Sequence, residues 1–241
     1  MSAHLVKEIP HAGGVVPLDP AERRHIERAL RLHPGDALIV FDGRGKRARG
    51  VLAQAEDKTL VVRIVEILAA ETMPRRNVTA VCAAIKGDRL FSAAEKLTEL
   101  GVENIIFFVA SRSNRAISAG TQERLTRVAA AAAKQCGRSD VPGIFYVDSL
   151  AEAIVLVHES EIALRLILAH DGERSMAAAI RENGGGSVAF LVGPEGGWTN
   201  EERSLAGDHG FTGVRLGDFI LRSDTAAAAA LAVIAGEADQ A

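Results

Sequence analysis

The chain has 241 residues, 48% of them hydrophobic and 24% charged, a composition that fits a folded globular protein and excludes wholesale disorder. Its formal charge of −3 is uneven: residues 73–150 carry 11 basic against 7 acidic side chains, and residues 151–241 carry 6 against 14. A basic first part ahead of an acidic last part suggests different partners for the two, so the overall charge does not exclude RNA.

In chain order, the first seventy residues read as strand-rich. Ala37–Phe41, Arg49–Gln54 and Thr59–Ile67 are the expected strands, with turn signals at Asp42-Gly43, Gly45 and Gly50. One helix interrupts them, with Asp19 as N-cap, Pro20 at its first position and Glu22 three residues after the cap. It runs to about Leu32 and is expected to bury Ile26, Ala29 and Leu30. Short strands with one small helix suggest a compact β-barrel module. After Met73-Pro74 strands alternate with helices. The strands are Val78–Ala84, Asn104–Val109, Ile144–Val147, Leu164–Ala169, Val188–Val192 and Gly213–Leu216. Between and after them come helices at Arg89–Leu100, Gln122–Gln135, Leu150–Val157, Met176–Glu182, Asn200–Asp208 and Thr225–Ala235, with capping boxes at Ser149/Glu152 and Thr199/Glu202. This alternation predicts an α/β domain with a parallel, doubly covered sheet and ligands at the carboxyl ends of its strands. The domain boundary is placed at 72/73.

The longest apolar run, Ala226–Ala235, is shorter than the roughly 18–20 residues a bilayer requires. The N-terminus lacks the apolar core of a secretory signal. Cys82 and Cys136 fit neither a zinc knuckle nor a CxxC motif, so no metal site is expected, and reduced thiols in the cytoplasm are.

Two segments stand out chemically. In Leu191-Val192-Gly193-Pro194-Glu195-Gly196-Gly197-Trp198-Thr199, an apolar strand enters a glycine-rich loop and a capped helix leaves it. Gly193, Gly196 and Gly197 permit close backbone approach or positive φ, and Pro194 stiffens the loop. The loop matches neither GxGxxG nor the P-loop, and a tight turn without a ligand remains open. Trp198 is expected to pack beneath it. Downstream, Arg215-Leu216-Gly217-Asp218-Phe219-Ile220-Leu221-Arg222-Ser223-Asp224-Thr225 repeats the pattern of strand, glycine and helix start. An arginine and a carboxylate there could hold an anion or poise a proton acceptor, and an ordinary capped helix explains the same residues.

Together these segments resemble the SPOUT methyltransferases, and more closely the ribosomal RNA small subunit methyltransferase E (RsmE) family. Supporting pieces are Glu99-Leu100-Gly101-Val102, Gln135-Cys136-Gly137-Arg138 with Val141-Pro142, and Leu30-Arg31-Leu32, Gly35-Asp36 and Phe41-Asp42-Gly43. The resemblance covers nearly the whole chain. It implies a PUA-like RNA-binding barrel over 1–72 and a trefoil-knotted SPOUT domain over 73–241. It also implies an S-adenosylmethionine-dependent methylation of N3 of one uridine in 16S rRNA, with the assembled small subunit as the expected partner, and a homodimer. The implied cofactor residues are His170, Leu191, Gly193, Glu195, Gly196, Gly197, Leu216, Gly217, Ile220, Leu221 and Thr225. Arg222, Asp224 and Glu195 are the implied catalytic groups. The RNA-binding candidates are Arg31, the Arg44, Lys46, Arg47 and Arg49 cluster, Arg112, Arg115 and Arg138. The chain departs from the family at Asp218-Phe219 (usually Pro-Arg), at Asp224 (usually Glu) and at Lys134 (commonly Glu). A ribose 2′-O-methyltransferase of the same superfamily and a non-catalytic RNA-binding assembly factor are the alternatives.

Overall fold

The computed structural model describes residues 3–69, 77–85, 87–112 and 117–238. The boundary at Met73-Pro74 and the candidate Arg115 lie outside them. The chain forms two compact units, residues 1–73 with 130–141, and residues 74–129 with 142–241.

The first unit holds a five-stranded mixed sheet. Its strands β1 (Ala3–Leu5), β2 (Val15–Pro17), β3 (Ala37–Phe41), β4 (Arg47–Gln54) and β5 (Leu60–Leu68) lie in the order β1-β3-β4-β5-β2. β1 runs parallel to β3 and the remaining pairs are antiparallel. Strand alternation turns Leu38 and Val40, Ala48 and Leu52, and Val62 and Ile64 into one apolar core, where they meet Val6, Val16 and Ile26.

Helix α1 (Pro20–His25) begins as the sequence suggests, with the Asp19 carboxylate accepting from the Ala21 amide at 2.8 Å. It then widens into a π-helical turn, Ile26–Leu30, which ends at Arg31 with φ +54°. The wider turn rotates the expected apolar face away from the core, so Ile26 is buried while Ala29 and Leu30 are exposed. Glu22 forms no capping box. Its carboxylate is held by His4 Nδ1 at 3.0 Å and by Lys134 Nζ. Lys134, the departure from the family pattern, thus has a structural partner. The segment after it docks on the β3–β4 hairpin, with Gly45 N–H donating to Ser139 O and Val141 N–H donating to Gly43 O.

The second unit is a seven-stranded parallel sheet. Its strands are β6 (Val78–Ala83), β7 (Asn104–Phe108), β8 (Gly143–Val147), β9 (Leu164–Leu168), β10 (Arg174–Ser175), β11 (Val188–Val192) and β12 (Thr212–Arg215). They lie in the order β10-β12-β9-β11-β6-β7-β8. The helices are α2 (Asp88–Glu99), α3 (Ala119–Cys136, whose residues from Ala130 on belong to the first unit), α4 (Leu150–Glu159), α5 (Met176–Glu182), α6 (Asn200–Asp208) and α7 (Ser223–Ala238). β6 and β11 are buried along their whole length, as a sheet covered on both faces requires. Val78, Ala80 and Cys82 of β6, with Val188, Phe190 and Val192 of β11, face α2, α5 and α7. Val81, Ala83, Ala189 and Leu191 face α4, α6 and Trp198. The α/β sandwich expected from the alternation is therefore present. Among the described residues no helix is long and apolar enough to cross a membrane, and no cluster of His, Cys, Asp and Glu could hold a metal.

Candidate functional site

Successive strands leave β6 in opposite directions, toward β7 and β8 on one side and toward β11, β9 and β12 on the other. Beside that reversal, at the carboxyl ends of β9, β11 and β12, opens a cleft of about 650 Å³. Most of its wall comes from three chain segments: Leu168–His170 at the end of β9, Val192–Trp198 at the end of β11, and Leu216, Gly217 and Phe219–Ser223 leading from β12 into α7. The two loops singled out in the sequence thus share one hollow.

The loop after β11 is held from every side. Trp198 lies beneath it, buried, stacked 6.1 Å from Phe108 and donating its indole N–H to Leu168 O at 2.8 Å. A Cβ on Gly193 would stand 2.9 Å from the Trp198 ring, so only glycine fits that close approach. Gly197 takes φ +71°, which closes the turn from Pro194 O to Gly197 N–H. Ser223, at the start of α7, donates its hydroxyl to Gly193 O at 2.9 Å and so ties the two loops together. Arg112 Nη1 donates to Gly196 O at 2.6 Å, and Arg89, from the first turn of α2, forms an ion pair with the Glu195 carboxylate. The helix leaving the loop starts in a complete capping box: Glu202 N–H donates to Thr199 Oγ1 and Thr199 N–H to the Glu202 carboxylate, whose other oxygen accepts from Ser111 N–H.

Of the expected cofactor residues, His170, Gly193, Glu195, Gly196, Gly197, Leu216, Gly217, Ile220 and Leu221 line the cleft. Leu191 does not. The two-residue period of β11 turns it into the core shared with α4 and α6, and its neighbour Val192 faces the cleft instead. Thr225 is exposed on the first turn of α7, outside the lining. Arg222 lines the cleft, but Asp224 turns behind the helix start. There one of its oxygens lies 3.8 Å from Lys96 Nζ of α2, and the other is buried with no hydrogen-bond partner among the described residues.

Arg89 and Arg203 also line the cleft and were not singled out in the sequence. Arg203 holds Asp171 through both carboxylate oxygens, at 2.8 and 3.0 Å, and this bond keeps the Asp171 carboxyl below its ordinary pKa. Both arginines lie in helix first turns. Only the signal of a helix starting at a strand's carboxyl end could have marked them.

The RNA-contact candidates fare unevenly. Arg31, Arg44, Lys46 and Arg49 are exposed; Arg44 also donates to Lys7 O, and Arg49 is paired with Glu66 at 2.8 Å. Arg47 is half-buried. Arg138 is only 4% exposed, with its guanidinium bound to both oxygens of Asp140, so it serves the packing of the 137–141 segment and is not displayed to solvent. Arg112 is exposed but already engaged with the Gly196 carbonyl.

The chemistry of the cleft fits a small ligand with a flat apolar part and polar edges. Leu168, Val192, Leu216 and Ile220 give apolar walls for a ring, and the glycine loops bring main-chain polar groups to its edge. Phe219 and Ile220 at its rim are 85% and 82% exposed, apolar surface that a ligand or a second chain would cover.

Comparison with known proteins agrees with this geometry. A family model described as the RNA methyltransferase domain matches residues 71–235, and one described as the RNA methyltransferase PUA domain matches residues 18–65. The chain is 32% identical over 235 residues to a ribosomal RNA small subunit methyltransferase E of Mycobacterium tuberculosis, covering 95% of this chain and 89% of that protein. A Synechocystis protein of the same name is 30% identical over 91% of this chain and 72% of its own length. Among solved structures, a Neisseria gonorrhoeae ribosomal RNA small subunit methyltransferase E bound to S-adenosylmethionine superposes with a TM-score of 0.86 at 29% identity. That match covers 97% of this chain and 96% of the other. A Legionella pneumophila methyltransferase solved with the same cofactor gives 0.85 at 27% identity, over 96% of both chains.

Proposed function

This chain belongs to the ribosomal RNA small subunit methyltransferase E family, and from that premise we propose that it methylates N3 of one uridine in 16S rRNA, using S-adenosylmethionine held in the β9/β11/β12 cleft. It is an S-adenosylmethionine-dependent rRNA methyltransferase with a SPOUT-type α/β domain and a PUA domain. The observation that carries the site assignment is the meeting of the Gly193–Gly197 and Leu216–Arg222 loops in one hollow at the strand ends.

When bound, the cofactor supplies an electrophilic methyl carbon on its sulfonium, so the protein's task is chiefly positioning. The apolar walls and the backbone of the two glycine loops would hold adenine and ribose, with His170 at one end of the cleft. Uridine N3 carries a proton that must leave for the nitrogen to take a methyl group, whose bond to the sulfonium sulfur would break with its electron pair returning to sulfur. Arg222, in the cleft with no ion-pair partner among the described residues, stabilises the negative charge that develops on the base carbonyls. Of the two candidate carboxylates Glu195 is the one that lines the cleft, and it relays the proton; Asp224 acts from behind by fixing the start of α7 against Lys96.

The exposed Arg44 and Lys46 supply phosphate contacts from the PUA module, for which we retain the bounds 1–72, with 73–241 as the methyltransferase module. The exposed Phe219 and Ile220 support a homodimer in which a second copy covers the cleft mouth, and the assembled small subunit is the substrate we favour. The test is to incubate the protein with labelled S-adenosylmethionine and small subunits lacking the modification, then identify the labelled nucleoside. N3-methyluridine is the expected product. Label in a ribose-methylated nucleoside would overturn the N3 assignment and keep the fold-level one.

A further inference from the structure

Beside the cofactor cleft, on the other flank of the first turn of α2, lies a second hollow of about 350 Å³ that the methyl-transfer reading does not use. Arg89 points from that turn into the cleft, and its neighbours Asp88, Leu90 and Phe91 line the hollow. The opposite wall is the start of α3, with Ser118, Thr121 and Arg124. A planar platform is built into it. The Arg124 guanidinium carbon sits 3.8 Å from the Phe91 ring centroid, and one guanidinium nitrogen is 3.5 Å from Asp88 Oδ1. The Arg124 side chain is 54% exposed, so the guanidinium covers Phe91 while remaining open to the hollow. α2 and α3, of 12 and 18 residues, both begin here, and their N-terminal dipoles favour negative charge; the Ser118 and Thr121 hydroxyls, hydrogen-bonded to each other at 2.9 Å, leave one O–H beside it to donate.

We propose that this hollow is a nucleotide subsite for the RNA substrate: a single-stranded base stacks on the Arg124–Phe91 platform while its phosphate lies toward the two helix starts. Stacking on an arginine plane backed by an aromatic ring is how unpaired RNA bases are commonly held. The first turn of α2 separates the hollow from the cleft, and a helix with its side chains is about 10 Å across. A base in the hollow is therefore not the one that meets the methyl group. It is a neighbour of the target, and holding it fixes which nucleotide enters the cleft. The inference rests on the RNA methyltransferase reading and gives this hollow a part in choosing the substrate.

The test compares wild type with Arg124→Gln, Arg124→Lys and Phe91→Leu, using labelled S-adenosylmethionine and small ribosomal subunits lacking the modification, with calorimetry for cofactor affinity. A lost base stack should raise KM for the subunits about tenfold in all three variants, with cofactor Kd and kcat within about twofold of wild type. Arg124→Lys is decisive, since it keeps the charge and removes the planar face. Wild-type KM in the lysine variant, or in all three, overturns the subsite. Wild-type protein that binds the cofactor and labels no RNA overturns the underlying reading, a result distinguishable from normal labelling with unchanged variants.

Discussion

Arg112 Nη1 donates a 2.6 Å hydrogen bond to the carbonyl of Gly196, and the aliphatic part of the same side chain would lie 3.3 Å from any Cβ placed there. The arginine therefore shapes the Gly193–Gly197 loop from outside, in a position that the sequence alone suggests for an RNA phosphate. A hydrogen bond from a charged donor contributes roughly 1.5–3 kcal/mol, most of which a free loop would lose. Arg112→Ala should weaken S-adenosylmethionine binding about tenfold by calorimetry, with Arg112→Lys in between. Unchanged cofactor affinity with weakened subunit binding would return the residue to the RNA-contact role.

Gly193 and Trp198 make a second fixed point. A methyl group at Gly193 would sit 2.9 Å from the indole, and Trp198 cannot swing away without breaking its hydrogen bond to Leu168 O and its stack on Phe108. Gly193→Ala should cost about 1–3 kcal/mol of stability through overpacking. Cofactor affinity should fall with it, because the displaced groups form the cleft wall. A calorimetric scan and a binding isotherm on the same preparation would check both.

Much of this was legible from local pattern. β3, β11, α5 and α6 begin and end where β-branched runs and caps say they should, and both glycine loops were visible as strand ends opening into helices. β1, β2 and β10 were not, because strands of two or three residues are held by their neighbours and carry no period of their own. Arg138 misled for a related reason. A basic residue beside glycine looks exposed, yet Asp140 two positions on folds back to neutralise it and lets it be buried. Arg89 was missed because an arginine at the start of a helix reads as surface, and only the sheet order brings Glu195 to it across 106 residues.

Glu195 and Asp224 separate cleanly by position. Glu195 lines the cleft and Asp224 does not. Glu195→Gln should lower kcat on small subunits by about 10²-fold, the lower end of what a proton-transfer group contributes, with cofactor Kd little changed. Asp224→Asn should leave kcat within about threefold and lower thermal stability modestly, since it loosens the contact with Lys96. A large kcat loss in Asp224→Asn with a normal melting temperature would move the proton to that residue.

The two cysteines should react very differently. Cys82 lies within β6, where burial pushes its thiol up to about 12, whereas Cys136 ends α3 in an exposed position. Only the thiolate attacks a maleimide, and only if it can be reached. Native protein should take up one maleimide on Cys136, and denatured protein two, as read by intact mass and peptide mapping. Rapid labelling of Cys82 in the native state would show that β6 opens.

Glu22 gives the pH prediction. Burial alone would raise its pKa, but the hydrogen bonds and positive charges of His4 and Lys134 outweigh it and hold the carboxyl below its ordinary 4.5. A carboxyl whose folded pKa is depressed stabilises the fold fully above its unfolded pKa, and that stabilisation fades as pH falls through the folded value. The contribution should therefore be intact at neutral pH and disappear in the acid range below 4.5. Glu22→Gln should cost about 2 kcal/mol near neutrality, where it breaks a half-buried charged contact. The two proteins' urea-unfolding curves should converge as pH is lowered through the depressed folded-state value, below which the wild-type carboxyl is also neutral. A gap that stays constant across the whole range would mean that Glu22 acts through packing rather than charge.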